Sequence, residues 1–472
     1  MAQNAGQQAA LAGENVVGLG TPRALLRSGL DKLRAIIAGD SETARTQRDA
    51  LTAFLVRVAS AGLLYLSQIA LARWMGSFEY GIYVFVWTWV LVLGGLSHFG
   101  LNLAMIRLLP EYREKGEHDL MRGLLRGGRF AALGLGTVIA ALAMALLVPL
   151  QPYLDQHYVL PLYIALVCVP LFTLTDLQDG IGRGFAWMGI ALLPPYVLRP
   201  LLLLATMAVA YAAGLPMQAT TAAGAAIVAT WLTALVQTLL VNRRIDGVVG
   251  KGPRAYAFGT WFRLSGPLLA IVAADLVLQN ADVLVISQFL GPTEVAIYFA
   301  AAKTMSLIMF VHYAVGSAVA NRFAALDARG DKEGLKAFVR DAVHWTFWPS
   351  LACAAIILML GKPLLWLFGP QFTDGYPVMF ILVIGFLFRS AMGPAEFLLN
   401  MLGEQVLGAA VLTVTAALAI ALNFALVPHF GMIGAATATA TSLVAAALMN
   451  YVVVRRRLDI EIGIWRNLGK RG

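Results

Sequence analysis

Twelve apolar runs dominate this chain: 51–73, 81–106, 130–150, 159–182, 190–213, 219–241, 264–288, 297–319, 342–361, 376–400, 407–427 and 432–454. A helix of about 20 apolar residues crosses the hydrocarbon core of a bilayer. The runs are continuously apolar rather than alternating, which favours helices over a β-barrel. Charged residues are only 13% of the chain and hydrophobic ones 59%, whereas about a quarter of a soluble domain is charged. The expected fold class is therefore all-α: a polytopic membrane protein of twelve transmembrane helices.

The basic residues orient these spans. Twenty-nine of the 35 Lys and Arg fall on one side, in 1–50, 107–129, 243–263, 322–340 and 455–471 and at Arg183. Basic loops stay on the cytoplasmic side, so both termini are expected in the cytoplasm. The net charge of +9 thus reports topology, and its scatter over many loops argues against nucleic acid as a partner. Within residues 1–50, a cytoplasmic N-terminal extension, Leu25, Leu26, Leu30, Leu33, Ile36 and Ile37 recur at helical spacing among Arg23, Arg27, Lys32 and Arg34. This predicts an amphipathic helix over 22–37, lying on the inner leaflet or packed on a cytoplasmic loop. No cleavable signal is expected, because residues 1–50 are polar.

A short block occurs twice. Trp74-Met75-Gly76-Ser77-Phe78-Glu79-Tyr80-Gly81-Ile82-Tyr83 returns, 215 residues later, as Phe289-Leu290-Gly291-Pro292-Thr293-Glu294-Val295-Ala296-Ile297-Tyr298. Each copy lies in a turn between two apolar runs. The chain therefore reads as two related six-helix halves, 51–242 and 264–454, joined by a cytoplasmic linker 243–263 containing Gly247, Gly250, Gly252 and Pro253, and ending in a basic tail 455–472. Transporters are commonly built from such repeats around a central site.

Ionisable groups inside the runs are the sharpest functional signal, since a charge at the bilayer centre costs about 2.5 kcal/mol or more. Arg199 and Arg389 are central in runs five and ten; Arg57 and Lys303 lie nearer the ends of runs one and eight, within snorkelling reach. One cation from each of four runs would suit a cavity holding an anion, with Arg forks matching phosphate oxygens; the alternative is structural ion pairing. Asp275, Gln279 and Asp282 share one face at i, i+4, i+7, and Glu396 follows Arg389 by seven residues. Asp275, Asp282 and Glu396 are candidates for coupling to protons or sodium, or for neutralising the arginines. Asp176 and Asp179 are expected to pair with Arg183. Pro194, Pro195 and Pro200, and Gly393-Pro394, predict breaks in runs five and ten. Cys168 and Cys353 read as packing residues. The six His lack metal-ligand spacing and there is no P-loop. No metal, cofactor or enzymatic activity is expected.

Several stretches together resemble a known family. They are Ala72 to Tyr83, His98-Phe99-Gly100-Leu101-Asn102, Arg107, Gln279-Asn280-Ala281-Asp282, Leu290 to Tyr298, and Leu365-Trp366-Leu367-Phe368-Gly369-Pro370-Gln371-Phe372. This pattern resembles polysaccharide-biosynthesis membrane proteins, the Wzx-type flippases of the multidrug/oligosaccharidyl-lipid/polysaccharide exporter superfamily, over about 50–455. The resemblance implies two pseudo-symmetric six-helix bundles forming a V-shaped central cavity. It implies transport of a polyprenyl-pyrophosphate-linked oligosaccharide across a bacterial inner membrane, by alternating access, often coupled to H+ or Na+. Contact with polysaccharide polymerase machinery and a monomeric state would follow. Rival readings are a multidrug exporter of the same superfamily, which would favour an acidic cavity, and a membrane polymerase or ligase, which would need a larger external loop.

Overall fold

A computed structural model describes residues 42–467, with side chains over 59–465. The chain divides by internal packing into residues 1–56 and 57–472. In the first unit only helical backbone from Glu42 is described; the helix expected over 22–37 lies outside the described residues. The second unit carries everything discussed below.

The described chain is all-helical. Its α-helices are α1 (Glu42–Ser97), α2 (Leu101–Glu114), α3 (His118–Leu150), α4 (Gln156–Leu166), α5 (Val169–Gly184), α6 (Met188–Leu193), α7 (Arg199–Ala212), α8 (Ala219–Val248), α9 (Phe258–Phe289), α10 (Pro292–Ser306), α11 (Met309–Ala328), α12 (Lys332–Met359), α13 (Gly361–Trp366), α14 (Tyr376–Ala391), α15 (Ala395–Met401), α16 (Gln405–Leu458) and α17 (Ile464–Asn467). Among the described residues, nine helical stretches are long and apolar enough to cross a membrane, or ten if α4 and α5, bent by 51°, count as one span.

Two of these stretches reverse direction internally. Gly76 (φ 77°, ψ 169°) interrupts α1, and Gly431 (φ 56°, ψ −137°) interrupts α16. The Tyr80 hydroxyl donates to Gln68 Oε1 at 2.9 Å. Twelve residues of straight helix would separate these groups by about 18 Å, so the chain doubles back between them. Likewise, a Cβ on Gly434 would lie 2.3 Å from the Leu426 carbonyl oxygen, where a straight helix would hold them about 12 Å apart. Positive φ at both turns is strained for any residue carrying a Cβ.

The duplicated blocks meet. A Cβ on Gly81 would sit 1.7 Å from the Pro292 carbonyl oxygen, so only glycine lets the two backbones approach. Around this contact Arg73 donates to the carbonyls of Leu367 (2.7 Å) and Trp366 (2.5 Å), and Ser77 donates to Gln371 Oε1. Tyr80 lies against Phe299 and Phe372, and Tyr65 shares a 2.9 Å hydrogen bond with Thr304. Glu79, part of the repeat, accepts from the Ala219 N–H at 2.8 Å and so caps α8, whose first N–H groups have no partner within the helix. Glu79→Ala is expected to cost about 1 kcal/mol, the usual worth of an N-terminal cap, read as a lower thermal midpoint in detergent. At the other end the glycine-rich linker is pinned to the α2–α3 turn. Arg122 donates to the carbonyls of Pro253 (2.8 Å) and Gly250 (3.0 Å), and the Trp261 indole donates to the Tyr112 hydroxyl (3.1 Å).

Three local outcomes differ from expectation or refine it. The polar connections 107–129, 243–263 and 320–341 are largely helical, broken only near Gly116, between Val248 and Phe258, and near Gly330. Their Arg, Lys, Glu and Leu residues are good helix formers, so the helices run on past the apolar core. The basic tail turns back: Ile460, Ile462 and Ile464 are buried in the core around α12 and α16. The proline-rich part of run five forms a π-turn, Pro194–Leu198, in which the Arg199 N–H bonds the Pro194 carbonyl; proline removes the tighter donors and widens the turn. Gly393 (φ 65°) and Pro394 separate α14 from α15, as expected. Further breaks at 98–100, 167–168 and 307–308 were not legible; at Leu307-Ile308 the sequence carries no helix breaker.

Candidate functional site

Arg199 opens α7 directly after the π-turn. Its guanidinium lies over the ring of Phe172 (4.9 Å) and near that of Trp87 (5.7 Å). Asp176, Tyr83 and Tyr196 act on it electrostatically, but it has no hydrogen bond or ion pair among the described residues. A guanidinium carries five donors and no acceptor. Two aromatic faces supply cation–π attraction and fix the plane of the fork, yet they leave those donors unfilled. The arrangement holds a positive charge ready for an anion.

Asp176 is engaged elsewhere. His98, fully buried at the break after α1, approaches Asp176 Oδ2 at 2.6 Å through Nε2. Its Nδ1 accepts from the Gly100 N–H at 3.2 Å, which assigns the Nε2 proton to the Asp176 contact. Asn102 adds a 3.3 Å bond to the same oxygen. The expected pairing with Arg183 holds for Asp179 (2.7 Å); for Asp176 it is corrected to His98, because the break at 98–100 carries the imidazole to α5.

The second cluster forms at the α14–α15 break. Arg389 Nη2 donates to both oxygens of Glu396 at 2.7 Å, while Arg389 Nε is buried without a partner among the described residues. Asp275 and Gln279, bonded to each other at 2.7 Å, lie on α9, and Asp275 acts electrostatically on the Arg389–Glu396 pair. His312 and Tyr313, at the start of α11, face the same pair. In the third grouping the Tyr298 hydroxyl donates to Asp282 Oδ2 at 2.8 Å. Lys303 lies over Phe299 at 5.2 Å and feels the Asp282 charge without an ion pair to it among the described residues.

The sequence-derived residues therefore gather unequally. Arg389, Glu396 and Asp275 come together, as do Asp282 and Lys303, and Arg199 stands in its own aromatic clamp. Arg57 lies outside the described side chains. Sequence reasoning missed Trp87, Phe172 and His312, and had His98 only as part of the family pattern. A signal existed for the two histidines: they stand 214 positions apart, one short of the repeat offset.

A family model described as "Polysaccharide biosynthesis protein" matches residues 47–323, more than half of the chain, and a MatE model matches 267–428. A Shigella flexneri protein provisionally named an O-antigen transporter is 24% identical over 415 residues, covering 84% of this chain and 92% of that protein. Among solved structures, the fold resembles an inward-facing multidrug resistance MATE family transporter of the MOP superfamily, with TM-score 0.69 and 14% identity over 89% of this chain and all of that one. It also resembles the lipid II flippase MurJ in an inward closed conformation, with TM-score 0.67 and 13% identity over 86% and 87% of the two chains. The described residues are all-helical and rich in candidate membrane spans, and the extent of the family match decides the assignment: this chain belongs to the polysaccharide biosynthesis protein family.

Proposed function

We propose that the protein is a flippase that carries a polyprenyl-pyrophosphate-linked oligosaccharide across the membrane by alternating access. In this reading the reversals at Gly76 and Gly431 divide α1 and α16 into two spans each, and the chain makes twelve spans in two six-helix halves, 51–242 and 264–454. Both termini lie in the cytoplasm. The family membership supports the pathway, and the names of the Shigella relative and of the lipid II flippase support the substrate class. The observation that carries the reading is Arg199, a clamped guanidinium with no acceptor among the described residues. Pyrophosphate oxygens would fill those donors, with Arg57, Lys303 and Arg389 as further cations. The polyprenyl tail would stay in lipid while the sugar crosses between the halves. Asp275, Asp282 and Glu396 would couple the cycle to H+ or Na+.

The test is a reconstituted flipping assay. Full-length protein in vesicles should move a labelled polyprenyl-pyrophosphoryl oligosaccharide to the other leaflet, and vesicles without protein should not. No protein-dependent movement would end the proposal. A second reading, export of cationic compounds, draws on the MatE match and on acids Asp275 and Asp282. It predicts resistance to cationic drugs in cells expressing the protein, with loss on Asp282→Asn.

A further inference from the structure

His312 is 1% exposed, and neither ring nitrogen has a hydrogen-bond partner among the described residues. A buried imidazole left wholly unpaired is uncommon, because each unmet polar atom has lost its water without a replacement. Its position is not arbitrary. The ring lies just past the 307–308 break, beside the 392–394 break, where Arg389 and Glu396 are the charged groups acting on it. Phe397 from α15 flanks it at 6.4 Å and Tyr313 is its chain neighbour. From α9 the titratable group of the cluster is Asp275, which acts on the pair beside the ring. From α12, no charged group among the described residues acts on it.

The first half of the repeat shows the alternative arrangement. There His98 lies within the 98–100 break and bonds the acid of α5, Asp176, at 2.6 Å. In the second half the nearby acid, Glu396, is taken by Arg389 instead, with both oxygens at 2.7 Å from one Nη2. The histidine that would otherwise bond the acid is left bare. We propose that Glu396 exchanges partners: when an anionic ligand draws Arg389 away, His312 takes a proton from water and pairs with Glu396, so anion binding at Arg389 is linked to uptake of one proton. This rests on the flippase reading above, which puts a pyrophosphate at Arg389. The charge count supports it. Arg389, Glu396 and a neutral His312 sum to zero; once Arg389 faces a phosphate, Glu396 is an uncompensated carboxylate beside a base. A protonated His312 restores the balance.

The test uses full-length protein in lipid nanodiscs and undecaprenyl-pyrophosphoryl-N-acetylglucosamine as probe. This pyrophosphate is a diester and does not itself titrate near neutrality. Linkage to one proton makes Kd fall about tenfold per unit drop in pH over the range where His312 is neutral in the free protein and protonated in the complex. His312→Gln is expected to flatten that slope to under about twofold per unit. Should His312→Gln fail to fold, Glu396→Gln decides, since it removes the exchanged carboxylate and should flatten the slope as well. A pH-independent Kd in the wild type, or a slope that survives in the deciding variant, overturns the proposal. Binding without a slope leaves the flippase reading standing; no binding at any pH removes both.

Discussion

Arg199→Ala is expected to abolish export of surface polysaccharide in cells while leaving the protein folded and in the membrane. Arg199 makes no ion pair or hydrogen bond among the described residues, so its truncation strands no protein group, unlike the loss of a paired charge. What it removes is a fork of donors held between Phe172 and Trp87. Losing one partner of a desolvated, hydrogen-bonded charge pair costs about 2–5 kcal/mol. That is roughly 30- to several thousand-fold in affinity for a pyrophosphate diester, at about 1.4 kcal/mol per tenfold. Arg199→Lys should fall between, because an ammonium keeps the charge but neither the bidentate fork nor the ring stacking. Phe172→Ala should weaken binding more modestly, by the worth of a cation–π contact, about 0.5–2 kcal/mol. Equilibrium binding and surface polysaccharide staining read both ends of this series. Wild-type staining in Arg199→Ala cells would remove the central support for the proposed substrate.

Holding the repeat contact open should stop transport as completely as holding it shut. Gly81→Ala places a methyl group 1.7 Å from a backbone oxygen. No rotamer relieves that clash, so the helices carrying Gly81 and Pro292 must separate by more than 1 Å. The neighbouring contacts, Ser77 with Gln371 and Arg73 with the carbonyls of 366 and 367, would loosen with it. A cysteine at position 77 should then react faster with a membrane-impermeant maleimide in the Gly81→Ala background than in an otherwise wild-type chain. The opposite perturbation is Ser77→Cys with Gln371→Cys. The native contact runs through the end of the Gln371 side chain, beyond the reach that a direct disulfide needs, so a short bis-methanethiosulfonate cross-linker should join the two cysteines and block flipping, and reduction should release it. Normal flipping in the cross-linked form would mean that this end does not open during transport.

Much of the fold was legible because its determinants are local. Apolar runs long enough to cross a bilayer, basic residues outside them, and prolines at 194, 195 and 394 act within one helix or its immediate flank. The polar connections were misjudged as loops for the converse reason: Arg, Lys and Glu leave the membrane but continue a helix readily. The candidate site was legible only as a set of costly charges. Arg199, Lys303, Arg389, Asp275, Asp282 and Glu396 stand out by residue type and depth alone. Other neighbours did not, because Tyr298 at Asp282 and Trp87 and Phe172 at Arg199 come from other helices. Asp176 and His98 are 78 residues apart and meet only because α1 ends in a break at 98–100.

By itself, then, the order of residues determined how many apolar segments there are, which side their flanks prefer, that a short block recurs 215 residues on, and where isolated charges must be accommodated. Each of those follows from transfer free energies and periodicity along one chain. Only the tertiary structure decided that Gly81 touches Pro292, that Glu396 takes one nitrogen of Arg389, and that Arg199 has aromatic rings for neighbours and no acceptor among the described residues. Such outcomes depend on which helix faces come within about 3–5 Å of each other. That is set by reversals and breaks whose partners lie tens to hundreds of residues away.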